Sequence, residues 1–167
     1  DAHRKIAEAV KAGKLSREDA VKKIQALKAK GVQFKFFHSV QALHPEADGG
    51  AGGAMRVYDS AEATCNDCIF DSNEADRGGA VDVSVDATFL DNTGLYTDNE
   101  CTDQDGGAIR VTEDGELTIA GSTFEGNEAA QAGGAIYLYQ PGDTILLSGA
   151  SFQNNVAGSG DGGAVLG

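Results

Sequence analysis

Beyond Lys35 the sequence contains no lysine, and Arg56, Arg77 and Arg110 are its only strong bases through to residue 167. The same stretch carries twenty-two Asp or Glu, a balance of −19, whereas residues 1–35 carry ten Lys or Arg against four acids, a balance of +6. A body so poor in cations cannot cradle phosphates along its length, which excludes nucleic acid as its ligand. Its acidic surface is expected to be solvated, and to attract cations or a basic partner, including the first 35 residues of this same chain. No apolar run reaches membrane-spanning length, so no membrane span is expected. No secretory signal stands at the start, as in a mature or trimmed form. Asn-x-Ser/Thr, the usual glycosylation acceptor, is missing throughout.

What the sequence does have is repetition. Gly-Gly-Ala begins at Gly52, Gly78, Gly106, Gly133 and Gly162, at intervals of 26, 28, 27 and 29 residues. Phe-x-x-Asn recurs beside it as Phe70/Asn73, Phe89/Asn92, Phe124/Asn127 and Phe152/Asn155. Two independent features sharing one period in the twenties indicate a solenoid, whose units bury their faces only against their neighbours. Each repeat reads as short strands without helical periodicity, three per turn, which is the layout of a parallel β-helix whose coils lie about 4.8 Å apart. Ala54, Ala80, Ala108, Ala135 and Ala164 are expected to stack as a ladder of small residues, and the four Phe rings as another. The Asn residues are expected at a corner, where Asn tolerates left-handed φ and its amide bonds to the coils above and below. Phe89 follows Gly78 by only 11 residues, against 18 or 19 in the other repeats. The second turn is therefore expected to be shortened, with Thr93–Asp105 a swollen loop on the binding face.

Residues 1–35 read as a basic amphipathic helical hairpin. Ile6, Ala9 and Val10 form one apolar stripe, Val21, Ile24 and Leu27 another, and Ser16 with Asp19 makes an N-terminal cap. Such a hairpin suits a cover over one end of the acidic β-helix of residues 36–167. Gly31–Phe37 alternates Val32, Phe34 and Phe36 as a first strand, and His44–Gly53 is a turn-rich link. The chain stops six residues into a fifth Gly-Gly-Ala coil, and is expected to be a fragment of a longer solenoid or to dock there on a partner or a second copy.

The strings FDSN, FLDN, FEGN and FQNN, together with GGAM, GGAV and GGAI, resemble the repeats of polymorphic outer membrane proteins, the adhesin-like passengers of chlamydial autotransporters. The resemblance covers roughly residues 50–167. It implies a right-handed parallel β-helix on a secreted or surface-exposed protein, used in adhesion or as a scaffold. Cysteines near Phe-x-x-Asn are frequent in such repeats. That precedent favours one disulfide that includes Cys101, with the third of Cys65, Cys68 and Cys101 buried or free, over the redox or zinc site that Cys-x-x-Cys spacing otherwise suggests.

Two further patterns carry chemistry. Asp98, Glu100, Asp103 and Asp105 gather hard oxygen ligands that suit Ca²⁺, although without EF-hand spacing, and a solvated acidic loop is the favoured reading. Asp82 and Arg110 occupy equivalent places in successive repeats, followed by Tyr137, which is the only hint of a carbohydrate-cleaving face; no general-acid constellation repeats. Asp1–His3 would bind Cu²⁺ or Ni²⁺ only through a free Asp1 amine. The sequence thus points to a non-catalytic extracellular or cell-surface scaffold or adhesion module. No cofactor is expected, self-association into a filament or a protein partner is, and a carbohydrate ligand or a carbohydrate-active enzyme is the alternative.

Overall fold

In a computed structural model, residues 50–159 and 161–167 are described, together with Ala9, residues 14–16, Asp19, Lys22 and Lys23. The chain divides into two compact units, Asp1–Phe37 and His38–Gly167. Within the first, the Asp19 amide donates to Ser16 Oγ at 3.0 Å and the Ser16 hydroxyl donates to Asp19 Oδ2 at 2.7 Å, the bonds of a helix N-cap. The helical hairpin of residues 1–35 as a cover, the strand at Gly31–Phe37, most of the His44–Gly53 link and the Asp1–His3 site lie outside the described residues.

The second unit is a right-handed parallel β-helix of about four coils. The first coil comprises β1 (Met55–Tyr58), β2 (Glu62–Asn66), β3 (Ile69–Asp71) and β4 (Glu74–Ala75). The second comprises β5 (Val81–Ser84), β6 (Thr88–Asn92), β7 (Leu95–Thr97) and β8 (Glu100–Cys101), and the third β9 (Ile109–Thr112), β10 (Glu116–Ala120), β11 (Thr123–Glu125) and β12 (Glu128–Ala129). The fourth holds β13 (Ile136–Tyr139), β14 (Ile145–Ser148), β15 (Ser151–Gln153) and β16 (Val156–Ala157), and β17 (Val165–Leu166) opens a fifth. Equivalent strands pair in parallel into one five-stranded and three four-stranded sheets, β1-β5-β9-β13-β17, β2-β6-β10-β14, β3-β7-β11-β15 and β4-β8-β12-β16. A coil therefore has four strands, not the three read from sequence. The fourth is only two residues long and hides in what reads as a polar loop.

Each motif has a spatial reason. The first glycine of each Gly-Gly pair takes positive φ, 74° at Gly106 for example, as the chain turns into the strand. The second, in the four pairs up to Gly134, has no room for a side chain: a Cβ on Gly107 would sit 2.1 Å from the Gly134 carbonyl oxygen of the next coil. The alanine that follows points inward, and the Ala80, Ala108 and Ala135 column is fully buried. Further inward columns complete the core, among them Val57, Val83 and Val111, and Ala63, Phe89 and Leu117.

The aromatic column differs from the expected one. Its rings are Phe70, Tyr96, Phe124 and Phe152, stacked at centroid distances of 4.7, 4.5 and 5.0 Å. Phe89 is not among them, because it lies on β6 and pairs with Ala63 and Leu117 on a different sheet. Tyr96 stands 18 residues after Gly78, as Phe70 and Phe124 do after Gly52 and Gly106. The second turn is thus of ordinary length, and Thr93–Asp105 supplies β7 and β8 in place of a swollen loop.

The asparagine ladder shifts in the same way, to Asn73, Asn99, Asn127 and Asn155. Asn73 Nδ2 donates to Asn99 Oδ1 at 2.7 Å, Asn99 Nδ2 to Asn127 Oδ1 at 2.8 Å, and Asn127 Nδ2 to Asn155 Oδ1 at 2.8 Å. The backbone amides of Asn73, Asn99 and Asn127 donate to the same oxygens. Asn92 instead belongs to an exposed pair, its Nδ2 donating to Asn66 Oδ1 at 2.9 Å. The left-handed residue at the ladder corner is the one before each Asn: Ser72, Asp98, Gly126 and Asn154. The amide's service to neighbouring coils, not tolerance of φ, is what selects Asn.

Candidate functional site

Two places in the stack depart from the pattern of polar-out, apolar-in. On the outer face of β1-β5-β9-β13 one row runs Arg56, Asp82, Arg110, Tyr137 in register. Asp82 is only 1% exposed, since the guanidinium groups of the coils on either side fold over it. Arg110 Nη1 donates to Asp82 Oδ1 at 3.1 Å, and Arg56 Nε lies 3.5 Å from Oδ2. Ser84 donates to the same carboxylate at 3.3 Å. A carboxylate clamped between the arginines of two flanking coils is an ion-pair centre that ties three successive coils together. Arg56 also covers the Tyr58 ring at 4.5 Å. Tyr139, 55% exposed, and Tyr137 continue the face, the Tyr137 phenol held above its usual range by partial burial and by Asp105. The sequence reading found Asp82, Arg110 and Tyr137 but missed Arg56, the residue that makes the row symmetrical about Asp82.

The second departure is internal. Asp91 points into the core from β6, between Cys65 of the coil before and Ile119 of the coil after. Its carboxylate fills the space over Gly94, where a Cβ would come within 2.3 Å of Oδ2. Ser122 donates to Asp91 Oδ2 at 2.7 Å and itself accepts the Gly94 amide at 3.0 Å. The Tyr96 hydroxyl lies against the same carboxylate, yet neither it nor Asp91 Oδ1 makes a hydrogen bond of good geometry. Burial is the dominant cause that pushes the carboxyl up to about 6, against the opposing hydrogen bond of Ser122 and the nearby Tyr96 hydroxyl and Gly94 amide. The Tyr96 phenol is likewise raised, by burial first and by Asp91 second.

The buried carboxylate sets a direction for pH dependence. Below about pH 4 Asp91 is protonated in both folded and unfolded chains and its ionisation costs nothing. As pH rises from about 4 to about 6 the unfolded chain ionises while the folded carboxyl stays protonated, so the native state loses stability, by about 2–3 kcal/mol in all once the pH is above 6. Asp91→Asn should therefore leave stability at pH 4 little changed and raise it at pH 7, in urea unfolding at both pH values. Equal effects at the two pH values would contradict the assignment.

The cysteines divide between two sheets. Cys65 lies on β2 and Cys68 just before β3, both buried and hydrogen-bonded to one another through their side chains. Cys101 lies on β8, its rung neighbours are Ala75 and Ala129, and its thiol donates to the Asp76 carbonyl at 3.1 Å. In this structure all three are free thiols, and the expected disulfide to Cys101 is not formed, because Cys101 faces the β4-β8-β12 corner. The proposed calcium ligands also fail to converge. Asp98 sits at the left-handed corner before Asn99, Asp105 accepts the Ala132 amide at 3.0 Å, and β8 separates Asp98 from Asp103 and Asp105. Among the described residues no three His, Cys, Asp or Glu are placed to hold a metal.

Neither curated proteins nor solved structures yield a match to the chain. A family model does, and it falls on the third coil and the start of the fourth. That stretch contains Phe124 of the aromatic column, Asn127 of the amide ladder and the Gly133-Gly134-Ala135 turn. Residues 121–139 match the Chlamydia polymorphic membrane protein repeat.

Proposed function

We propose that the chain is a non-catalytic module of a surface protein, a rigid β-helical scaffold that presents stacked side chains for adhesion or assembly. The observation that carries this reading is the matched repeat, read together with the unbroken rungs around it. The family's name assigns its proteins to a membrane, which supports a surface location for this chain. The face we assign to binding is that of Arg56, Tyr58, Tyr137 and Tyr139, where aromatic rings and guanidinium groups collect on an otherwise acidic body. Replacing Tyr137 and Tyr139 together with alanine should weaken binding of the immobilised chain to cells by roughly tenfold or more, with no change in its urea midpoint. Undiminished binding would move the site elsewhere. Cleavage of acidic polysaccharides by the chain would replace this reading with that of a carbohydrate-active enzyme.

Self-association is the partner reading. Residues 1–35 carry +6 and residues 36–167 carry −19, so the basic segment of one copy is attracted to the acidic body of another. A contact of this head-to-tail kind is heterologous and propagates into filaments. Light scattering should show assembly at low salt that weakens as salt is added. A monomer indifferent to salt would refute it.

A further inference from the structure

We propose that Cys65 and Cys68 form this protein's disulfide, closing the corner between β2 and β3, and that Cys101 remains a free thiol. Asn66 and Asp67 turn that corner, and Asp67 takes φ 53°. The turn leaves both cysteines on the inside, where their side chains already meet. The two lie on neighbouring columns of the core. Cys65 shares a rung position with Asp91 and Ile119. Cys68 shares one with Gly94 and Ser122, as the amides of Leu95 and Thr123 show by donating to the carbonyls of Cys68 and Gly94. Cys101 has no thiol on its own sheet to meet, and its thiol is engaged by the Asp76 carbonyl at 3.1 Å.

The same corner dictates when the bond forms. Exchange requires a thiolate. In the folded chain the Cys65 thiolate is opposed by the hydrogen bond to Cys68, by burial and by the negative charge of Asp91. The bond is therefore made while the first coil is still open, in an oxidising compartment, and is then sealed by the second coil. With a low-molecular-weight disulfide as oxidant, the thiolate of one cysteine attacks one sulfur and releases one thiolate. The second cysteine's thiolate then displaces the remaining half. The two protein protons end on the two released thiols, and the oxidant is reduced by the two electrons that the pair gives up.

The three arginines of the body make the test direct. Trypsin cuts after Arg56, Arg77 and Arg110, which places Cys65 and Cys68 in peptide 57–77 and Cys101 alone in peptide 78–110. The full chain, made in an oxidising compartment and alkylated while denatured without reductant, should yield peptide 57–77 unalkylated and lighter by two hydrogens. Peptide 78–110 should carry one alkyl group. A cross-link between the two peptides, a cross-link between copies, or two alkyl groups on 57–77 would overturn the pairing. The timing is read separately. Adding oxidised glutathione to the folded, reduced chain should form the bond at least about tenfold more slowly than adding it to the chain unfolded in urea. Equal rates would overturn the sealed-corner account. Neither readout depends on whether the module binds cells.

Discussion

Phe124→Ala is expected to lower stability by about 3–5 kcal/mol, the range for emptying a well-packed aromatic site. The ring is fully buried and lies between Tyr96 at 4.5 Å and Phe152 at 5.0 Å, nearly parallel to both, at 7° and 12°. Its removal leaves a gap that neither neighbour can fill by sliding, since each is held at its own coil height by backbone hydrogen bonds. The loss should appear as a fall in urea midpoint. Phe124→Leu, which keeps most of the volume, should recover part of it. A loss below about 1 kcal/mol would mean that the column is not the spine of the core.

Gly107→Ala should be comparably damaging, although it adds a single methyl group. The new Cβ would lie 2.1 Å from the Gly134 oxygen and 2.7 Å from the backbone carbon and nitrogen of Glu128. All three are main-chain atoms, so no side chain can rotate away and the coils themselves must part. Overpacking of this kind costs about 3 kcal/mol or more when backbone must move. Gly121 provides the control. It has positive φ, 71°, but a Cβ there would meet only Thr93 Cγ2 at 3.4 Å. Asp67 and Thr93 hold the same corner in the preceding coils at φ 53° and 61°. Gly121→Asn should therefore stay within about 1 kcal/mol of the parent. A loss at Gly107 no larger than that at Gly121 would show that the close approach between coils is not what excludes a side chain there.

The parts of the fold legible in the sequence are those that every coil must repeat. Gly-Gly-Ala reports a turn, a close backbone approach and a small inward residue, and each of these recurs because the adjacent coil demands it. What the sequence concealed were substitutions that preserve shape while changing letters. Tyr96 does the work of a Phe with a hydroxyl added, and Asn99 follows it three residues on, yet FLDN in the neighbouring strand offered the literal string. Asp91 sits inside that string and looks like a surface acid. Its burial follows from Gly94 and Ser122, which leave room and a donor only once two coils are stacked. Thr93–Asp105 misled as to the length of the loop, because β7 and the two-residue β8 within it are too short to be read from pattern.

In this fold the covalent chain runs around the axis while the strand hydrogen bonds run along it. A load applied along the stack is therefore borne by rows of hydrogen bonds, with the asparagine amides as a reinforcing seam, and a load applied across it by covalent bonds. Under axial tension the coils would peel one after another, each releasing its full length of chain before the next yields. Such a body extends in steps under pull instead of breaking at once, a behaviour suited to a tether held between two surfaces.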